Sequence, residues 1–387
     1  MTPPAARARV VVCQHRLLHY RRSFFERLRD AAAAQGLDLH LVVGQGSAHD
    51  ALRRDQARLP WADEVHNRIV RVGGVDLVWQ PFPRHLRDAD LVVLMQENRI
   101  LSNYPWLLRW RGRAGCRVAY WGHGRNLQSR APDGWRERWK RAFVGRTDAW
   151  FAYTASTRAQ LLADSVPDER ITVLDNAIDD EALARDLAAV DDARLQACRT
   201  QLGAGDEAAV ALFCGSLYAD KRLDRLLQVA DRLHDALPAF RLVVIGDGPE
   251  RPLLRAAAVT RPWLLDLGAL HGVDKAAWYR VAQIGLNPGA VGLNVLDAFG
   301  AGLPLITSDD ARHGPEFDYL RPGVNACLTA GDPAALASEA LRLLRDGAER
   351  SRLAAAARQD AQRLTLAAMV QHVVDGIERC LATPPRR

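Results

Sequence analysis

Short apolar runs recur along this chain in two series, and a helical pattern separates each run from the next. Runs of this length without polar alternation are typical of parallel strands that are covered on both faces. Helices between such strands imply βαβ units and doubly wound sheets. We therefore predict an α/β fold with two Rossmann-like domains. The runs lie at 8–13, 39–43, 91–95, 117–121, 149–154 and 171–174, and then at 209–215, 241–246, 264–268, 283–289 and 303–307.

A polar helical stretch between the two series predicts the domain boundary. It ends in two glycines, Gly203 and Gly205, which favour a break after a helix. We expect four segments, namely a first domain at 1–185, a linker at 186–205, a second domain at 206–364 and a closing helix at 365–387 that crosses back to the first domain.

The chain has a formal net charge of +6 and an isoelectric point near 9.2. A basic balance suits an anionic partner, which leaves a nucleotide, a membrane surface and a nucleic acid as candidates. Almost all of the positive charge is arginine, and the lysines are Lys140, Lys221 and Lys275. No apolar run approaches the length of a membrane-spanning helix, and the N-terminus reads as a first strand rather than a signal peptide. Six scattered cysteines suit a reducing cytoplasm.

The segment NPGAVGLNVLDAFGAGLPLIT (287–307) carries the most informative pattern. A strand ends at Gly289, a glycine-bearing loop follows, and we expect a helix from about Gly292. Small residues let a ligand approach the backbone, and the free N–H groups of a helix N-terminus suit a diphosphate. Asp297, about one turn inside that helix, is placed to accept hydrogen bonds from ribose hydroxyls. The alternative is an ordinary strand, turn and helix with a surface aspartate.

A second loop, in FCGSLYADKRLDRLL (213–227), follows a strand that ends at Gly215. It brings Lys221 and Arg222 to the carboxyl edge of the sheet, where ligands bind in open α/β sheets. A lysine there is a point charge for a phosphate group. The alternative is a solvated basic residue at a helix start, which the helix dipole disfavours.

Two more loops follow strands of the second half. VVIGDGPER (243–251) contains Gly246 and Gly248, but Arg251 stands where a dinucleotide fingerprint would have its third glycine. LDLGALHG (265–272) ends a strand in a loop that is placed to clamp a base.

In order and spacing, these segments resemble the C-terminal domain of family-4 glycosyltransferases of GT-B fold. That family has a strand–Gly–loop–Lys–helix unit, a GxGP turn, an LG loop and an E-x7-E pair of acids followed by GxP. The likeness covers residues 209–330, and it extends to the first half only by architecture. It implies two domains that face each other across a cleft, a nucleotide-sugar donor in the second domain, and retention of the anomeric configuration.

The resemblance assigns the donor to residues of the second domain. Asp297 takes the place of the second acid of the pair. Gly289 occupies the position of the first acid, so this chain lacks it. The chain therefore looks like a variant subgroup in which backbone amides of the loop substitute for the first acid. Ser216 stands where many members have a phosphate-binding arginine. We expect Arg222 to supply the positive charge that is missing at that position. The predicted donor-binding set is Gly215, Ser216, Lys221, Arg222, Gly246, Gly248, Gly268, Ala269, Gly289, Ala290, Val291, Gly292, Leu293 and Asp297.

The closing segment GPEFDYLRPGVNACL (314–328) matches that of the family through Glu316 and Asn325. In the first half, RVAYWGHGRNLQS (117–129) ends a strand at a histidine flanked by glycines, and family members place a histidine near the donor sugar. The predicted catalytic residues are His123, Lys221 and Glu316. A structural or solvated role is the alternative for His123.

The loop after the first strand, QHRLLHYRRSFF (14–25), is expected to form the acceptor wall. We assign acceptor binding to His15, Tyr20, Arg21, Arg22 and Arg125. The alternative is a basic helix start whose phenylalanines enter the core.

A basic helix at 134–146 carries aromatic residues at four-residue spacing, Trp135, Trp139 and Phe143. This pattern fits an anionic membrane surface, and it equally fits core packing of a helix with a solvated basic face. The Asp88–Ala89–Asp90 triplet precedes a strand, so we predict no metal site there.

The sequence therefore predicts a metal-independent glycosyltransferase that needs no cofactor besides the nucleotide sugar as co-substrate. Its acceptor is a glycan or a lipid-linked group in cell-surface polysaccharide, lipopolysaccharide or other glycoconjugate assembly. We expect no nucleic-acid partner, and we expect the protein in the cytoplasm, with peripheral attachment to the inner face of the cell membrane as an open alternative. Two other functions remain open, a nucleotide-sugar epimerase on the same fold and a non-catalytic sugar-nucleotide-binding protein.

Overall fold

The computed structural model describes residues 7–51, 55–108, 115–124, 134–203, 205 and 208–385. The chain divides into two compact units. The first unit comprises Met1–Ile178 and Leu366–Arg387, and the second comprises Asp179–Thr365.

The first unit is built on a parallel sheet of seven strands, and a separate antiparallel hairpin lies beside it. The strands of the sheet are β1 (Ala8–Gln14), β2 (Leu37–Val43), β3 (Asp63–Glu64), β6 (Leu91–Met95), β7 (Arg117–Gly122), β8 (Ala149–Ala152) and β9 (Ile171–Val173), and those of the hairpin are β4 (Arg68–Val72) and β5 (Val75–Trp79). The helices are α1 (Arg22–Ala34), α2 (Ala48–Ala51), α3 (Tyr104–Leu107), α4 (Trp135–Val144), α5 (Ala155–Ala163) and α14 (Leu366–Ala382). In the sheet the strand order is β3-β2-β1-β6-β7-β8-β9.

Two cores cover the faces of this sheet because successive side chains of a strand point to opposite sides. Val10 and Val12 of β1 enter one core together with α1 and α14, whereas Val11 and Cys13 enter the other. A strand in this position needs apolar residues on both faces, which explains the continuous apolar run at 10–13.

The second unit is built on a parallel sheet of six strands. The strands are β10 (Ala209–Cys214), β11 (Phe240–Ile245), β12 (Leu264–Gly268), β13 (Ile284–Asn287), β14 (Leu305–Ser308) and β15 (Ala326–Thr329). The helices are α6 (Asp180–Ala188), α7 (Asp192–Leu202), α8 (Leu223–Ala236), α9 (Arg251–Ala258), α10 (Gly272–Val281), α11 (Asn294–Ala301), α12 (Pro333–Arg345) and α13 (Gly347–Ala361). The strand order is β12-β11-β10-β13-β14-β15, and both faces are again packed. Two parallel, doubly wound sheets confirm the predicted α/β class with two Rossmann-like domains.

The segment 186–205, which we predicted as a linker, is largely helical and belongs to the second unit. Asp191 caps α7 by accepting a hydrogen bond from the backbone N–H of Arg194, and Leu195 and Leu202 are buried in a core with the strands of that unit. The polar composition reflects the exposed face of these helices, because an amphipathic helix needs only one apolar stripe.

The last helix, α14, packs against α1 in the first unit. The buried side chains of Met369, Val373 and Ile377 join the same core as Phe24 and Leu28. Among the described helices, none combines the length and the apolar character needed to cross a bilayer.

Candidate functional site

The order of the strands in the second sheet defines a switch point at β10. Its neighbours are β11 on one side and β13 on the other, so the connections leaving the carboxyl ends of β10 and β13 diverge. Such a point opens a crevice at the carboxyl edge of a parallel sheet, which is where ligands bind in this architecture. Most of the donor-binding residues predicted above lie in the loops at this edge.

The loops that follow β10 and β11 pack backbone against backbone. Gly215 donates its N–H to the carbonyl of Ile245 at 2.9 Å, and Leu217 donates to the carbonyl of Asp247 at 2.9 Å. A Cβ on Gly246 would lie 1.9 Å from the carbonyl oxygen of Gly215, and one on Gly248 would lie 2.3 Å from that of Leu217. These two glycines therefore shape the loops by permitting close approach.

Lys221 is buried at the end of the loop after β10, with only 5% of its surface exposed. Its ammonium group donates to the carbonyl oxygen of Ala290 at 2.5 Å and lies 5.6 Å from the centre of the Tyr218 ring. Burial lowers the pKa of Lys221 to about 8, and the nearby carboxylate of Glu316 opposes that shift. A buried ammonium group beside backbone loops is a fitting partner for an anionic ligand, because burial strengthens its electrostatic interactions.

Gly289 lies directly against the backbone of the Lys221 loop. A Cβ at this position would lie 2.3 Å from both the carbonyl carbon and the carbonyl oxygen of Lys221, and 2.5 Å from the carbonyl oxygen of Asp220. The next residue, Ala290, donates its N–H to the carbonyl of Asp220 at 2.8 Å. No side chain fits at position 289, so the absent first acid follows from the close contact between these two loops.

Replacing Gly289 by alanine is therefore expected to destabilise the second unit. Overpacking of this kind costs about 1–3 kcal/mol, because the added methyl group forces the two loops apart. Thermal unfolding should show a lower midpoint, and nucleotide affinity should fall with it. The control is Gly347→Ala, whose Cβ would meet only the flexible end of Arg350 at 3.5 Å. Equal stability of the two variants would contradict the account of Gly289.

Glu316 approaches the loop after β13 from the opposite side. It lies in a 3-10 helix, Pro315–Tyr319, and is buried. Its Oε2 atom lies 3.9 Å from the place where a Cβ of Gly292 would stand and 2.9 Å from that of Gly314. Gly314 also donates its N–H to the carbonyl of Val291 at 2.8 Å. The structure thus brings Lys221, Glu316 and the loop 289–293 together.

His313 contacts the backbone of the loop 289–293, and the sequence analysis did not identify this residue. The N–H of Val291 donates to Nδ1 of His313 at 3.1 Å, and Nε2 contacts the carbonyl of Ser308 at 2.7 Å. The first bond requires an unprotonated Nδ1, so the ring proton sits on Nε2 and donates to Ser308. Burial lowers the pKa of His313. The sequence signal that could have identified this residue is a histidine shortly before Glu316.

Asp297 lies in the first turn of α11, which begins at Asn294 rather than near Gly292. Nζ of Lys275 contacts both of its carboxylate oxygens, at 3.2 and 3.1 Å. Burial by itself lowers the pKa of Lys275, but the carboxylate of Asp297 outweighs this effect, so the pKa of Lys275 is raised overall. The ion pair was not predicted, because Lys275 lies on α10 and no sequence pattern links the two residues.

The remaining predicted donor residues differ in their surroundings. Arg222 adopts a left-handed backbone conformation, and its guanidinium group contacts Asp224 at 3.3 Å. Ser216 and Ala269 are exposed, whereas Gly268 is buried against Arg251. Their contacts to a donor stay predictions. The described residues contain no group of three or more His, Cys, Asp or Glu side chains arranged to hold a metal ion.

In the first unit, charged residues meet at the carboxyl edge around β1 and β6. Glu97, which the sequence analysis missed, contacts Nε of Arg99 at 2.6 Å. Arg99 also donates to Nε2 of His15 at 3.0 Å, which leaves the ring proton on Nδ1, 3.7 Å from Glu97. Burial opposes ionisation of Glu97, but His15 and Arg99 lower its pKa overall. Burial lowers the pKa of His15.

His123 follows β7 at the same edge and stacks on the ring of Tyr153, with centres 4.3 Å apart. Burial lowers its pKa to about 4, so the imidazole is neutral at neutral pH. A Cβ on Gly122 would lie 2.6 Å from Cβ of Gln96, and Gln96 donates to the carbonyl of Gly124 at 2.7 Å. Gly122 thus accommodates the neighbouring strand, and the glycine before His123 has a packing role.

Arg21 is buried within the first unit, where its guanidinium group donates to Asn176 and to Sδ of Met369. It also lies over the rings of Tyr20 and Trp121, at 5.3 and 5.6 Å from their centres. These contacts give Arg21 a structural role, which the acceptor assignment had not anticipated.

The other acceptor assignments stay predictions. Arg22 is exposed and pairs with Glu26 at 3.2 Å, as expected for a basic residue in the first turn of a surface helix. Tyr20 is half-buried. Arg125 lies outside the described residues.

Solved structures share this two-unit architecture. The structure of HepE from Anabaena in complex with UDP has a TM-score of 0.67, and the likeness covers 96% of this chain and 99% of that one at 14% identity. At this identity the comparison establishes the fold, which is GT-B.

Family models match both halves of the chain. Residues 22–182 match the model described as Glycosyltransferase Family 4, and residues 208–346 match the one described as Glycosyl transferases group 1. Together with the fold, these matches support a GT-B glycosyltransferase.

Two curated relatives are glycosyltransferase homologues whose names contain a lipid. An alpha-monoglucosyldiacylglycerol synthase from Acholeplasma laidlawii is 25% identical over 139 residues, which is 34% of either chain. A phosphatidyl-myo-inositol mannosyltransferase from Mycobacterium leprae is 33% identical over 144 residues, 34% of this chain and 37% of that protein. The matched region thus spans about a third of the length of these relatives.

Proposed function

We propose that this protein transfers a sugar from a nucleotide-sugar donor to an acceptor hydroxyl. The observation that carries the proposal is the buried Lys221 at the switch point of the second sheet, held against the glycine-bearing loop 289–293. A nucleoside diphosphate is the ligand class that matches these groups. Its phosphates suit a buried ammonium group and nearby backbone amides, and its ribose suits a carboxylate such as that of Asp297. HepE, which shares the fold, was solved in complex with UDP.

In this proposal each group of the second unit meets one part of the donor. Lys221 and the amides of the loop after β13 hold the diphosphate, and Asp297 accepts hydrogen bonds from the ribose. Gly268 and Ala269 line the base, and Glu316 contacts the donor sugar in place of the acid that Gly289 excludes. Lys221 contributes most when the diphosphate leaves, because negative charge then develops beside it.

The first unit contributes the acceptor side. His123 is neutral at neutral pH, so it donates or accepts a hydrogen bond without bringing a full charge to the acceptor. The group formed by Glu97, Arg99 and His15 offers both signs of charge at one sheet edge. We propose that it binds polar groups of a glycan or lipid-linked acceptor, as the lipids in the names of the two curated relatives suggest.

The epimerase and the non-catalytic binding protein are not favoured. Both family models and both curated relatives are glycosyltransferases. The absence of the first acid, which suggested a loss of catalysis, has a steric cause at Gly289 that leaves Lys221 and Glu316 in place.

The proposal is tested by turnover of radiolabelled UDP-, GDP-, ADP- and dTDP-sugars with added lipid and glycan acceptors, in the presence of EDTA. We expect transfer from one donor class, and we expect it to persist in EDTA because protein groups stabilise the leaving diphosphate. Retention at the anomeric centre is part of the proposal and is checked by NMR of the product. Inhibition by EDTA with rescue by manganese would contradict the proposed mechanism.

A further inference from the structure

The peptide unit that joins Ala290 to Val291 is bound on both of its sides. Its carbonyl oxygen accepts a hydrogen bond from the ammonium group of Lys221 at 2.5 Å and a longer one from Nδ2 of Asn287 at 3.3 Å. Its N–H donates to Nδ1 of His313 at 3.1 Å. Because a trans peptide is planar, its C=O and its N–H point in opposite directions. His313 and Lys221 therefore contact opposite edges of one peptide unit, and His313 helps to fix the carbonyl that Lys221 meets.

Only the neutral ring of His313 makes both of its hydrogen bonds. Nδ1 accepts from the N–H of Val291, and Nε2 donates to the carbonyl of Ser308 at 2.7 Å. A second proton, on Nδ1, would set two N–H groups against each other and break the bond to Val291. The ring has little room to turn away, because it is buried and stacks on Phe317, with centres 4.0 Å apart. Protonation of His313 therefore releases the peptide between Ala290 and Val291.

Ser308, the last residue of β14, connects His313 to the beginning of the same loop. Its hydroxyl donates to the carbonyl of Pro288 at 2.9 Å, while its own carbonyl accepts from Nε2 of His313. The end of β14 thus fixes Pro288 directly and Val291 through the imidazole. The residues between these two points are a glycine and an alanine, so hydrogen bonds of the backbone rather than large side chains hold the loop in place.

Charged side chains lie around the ring and its partners on each segment that packs there, namely Lys221, Arg225, Asp309, Asp310 and Glu316. Burial nevertheless has the largest effect, and it lowers the pKa of His313 below the ordinary value of 6.5. The hydrogen bond to Ser308 opposes this shift of the pKa, whereas the charge of Lys221 reinforces it. Asp310 opposes it too, but its carboxylate is paired with Arg225 at 2.6 and 2.9 Å. The ring is therefore neutral at neutral pH and makes both of its hydrogen bonds.

We propose that His313 is a positioning residue, which orients the peptide between Ala290 and Val291 and thereby sets the place of the Lys221 ammonium group at the donor diphosphate. The role rests on the proposed function, since it requires that Lys221 meets the diphosphate. When the ring is protonated, the buried N–H of Val291 loses its partner and the loop leaves its place. A donor must then reorder the loop as it binds, which lowers its affinity. Donor affinity is therefore full above the pKa of His313 and declines below it.

The test is calorimetry of sugar-nucleotide binding between about pH 5 and about pH 7.5, with the UDP-, GDP-, ADP- or dTDP-sugar that the protein accepts. A sugar nucleotide is used because its diphosphate is esterified at both ends and, unlike a free nucleoside diphosphate, has no phosphate proton that titrates in this range. The wild type should bind with constant affinity near neutral pH, and should lose up to about tenfold per pH unit as His313 is protonated below pH 6.5.

Two variants of His313 separate the hydrogen bond from the ring. His313→Asn places an amide oxygen near the position of Nδ1, where it accepts the N–H of Val291 and does not titrate, so its affinity should not decline on acidification. His313→Phe keeps the stack on Phe317 but accepts no hydrogen bond, so it should bind about tenfold or more weakly throughout the range. The matched control is His234→Phe on α8, which replaces a histidine whose ring lies 5.7 Å from that of Trp263 and should keep both the affinity and the decline of the wild type.

A wild-type affinity that stays constant down to about pH 5, or an equal decline in His313→Asn, would overturn the role of His313. Hydrogen exchange of the free protein gives a second readout, in which the amide of Val291 should exchange faster in His313→Phe than in the wild type, and equal rates would also overturn it. Thermal unfolding at each pH shows that the proteins compared are folded. If the wild type binds none of these sugar nucleotides, the proposed function fails. If it binds one with an affinity that does not respond to acid, only the role of His313 fails.

Discussion

Replacing Lys221 by methionine is expected to lower kcat/KM for the donor by about a hundred- to a thousandfold, the usual loss when one preorganised electrostatic group is removed. Methionine keeps most of the volume of the buried side chain and removes its charge. The fold should survive, because the change relieves the desolvation of a buried ammonium group, the cause that lowers the pKa of Lys221 to about 8.

The matched control is Arg185→Met on α6 of the same unit, whose side chain is mostly exposed. It removes one positive charge far less buried than Lys221 and should retain wild-type kinetics. Wild-type turnover in a folded Lys221→Met protein would show that Lys221 does not meet the leaving diphosphate, and the donor site would have to lie elsewhere.

Asp297→Asn should weaken donor binding by about ten- to a hundredfold, since hydrogen bonds to a charged group contribute roughly 1.5–3 kcal/mol. The loss should appear with the free nucleoside diphosphate as well as with the sugar nucleotide, because both carry the ribose. A 2′-deoxyribose donor should bind the wild type poorly and be penalised much less in the variant, as expected for a shared interaction.

The Lys275 ion pair requires a second variant in this experiment. Asp297→Asn also leaves Lys275 partly buried without its partner, which by itself disturbs α10 and α11. Lys275→Met removes the pair and keeps the carboxylate, so it should preserve the discrimination against 2′-deoxyribose. If both variants lose affinity equally for ribose and deoxyribose donors, Asp297 acts only through its ion pair with Lys275.

Apolar patterns predicted the fold well because parallel strands buried on both faces leave a direct record in the sequence. The run at 8–13 became β1, and the restart at 209–215 became β10. Glycines next to strand ends marked the loops correctly, since Gly246 and Gly248 allow backbone contact that a Cβ would prevent. The stretch 186–205 was expected to be helical, but its polar composition did not reveal that α7 packs into a core of the second unit.

Contacts between distant residues could not be predicted from one sequence. The pair Lys275–Asp297 joins two helices, and Arg21 meets Asn176 and Met369 across most of the chain. The sequence therefore assigned Arg21 to acceptor binding, although aromatic rings enclose its side chain within the first unit. Glu97 carried no motif, and its proximity to His15 follows only from the neighbouring positions of β1 and β6 in the sheet.

Calorimetry of nucleoside diphosphate binding as a function of pH tests the central claim, that Lys221 binds the donor diphosphate, most directly. The pKa of Lys221 in the free protein is about 8, and binding of the anion should raise it. The protonated form of Lys221 binds, so affinity for the nucleotide that the protein accepts should be constant between about pH 7, where the terminal phosphate is fully ionised, and about pH 8, and should fall above pH 8 by up to about tenfold per pH unit. In Lys221→Met the affinity should be weak and should lack this dependence. A wild-type affinity that does not change through pH 8, or the same decline in the variant, would contradict the claim.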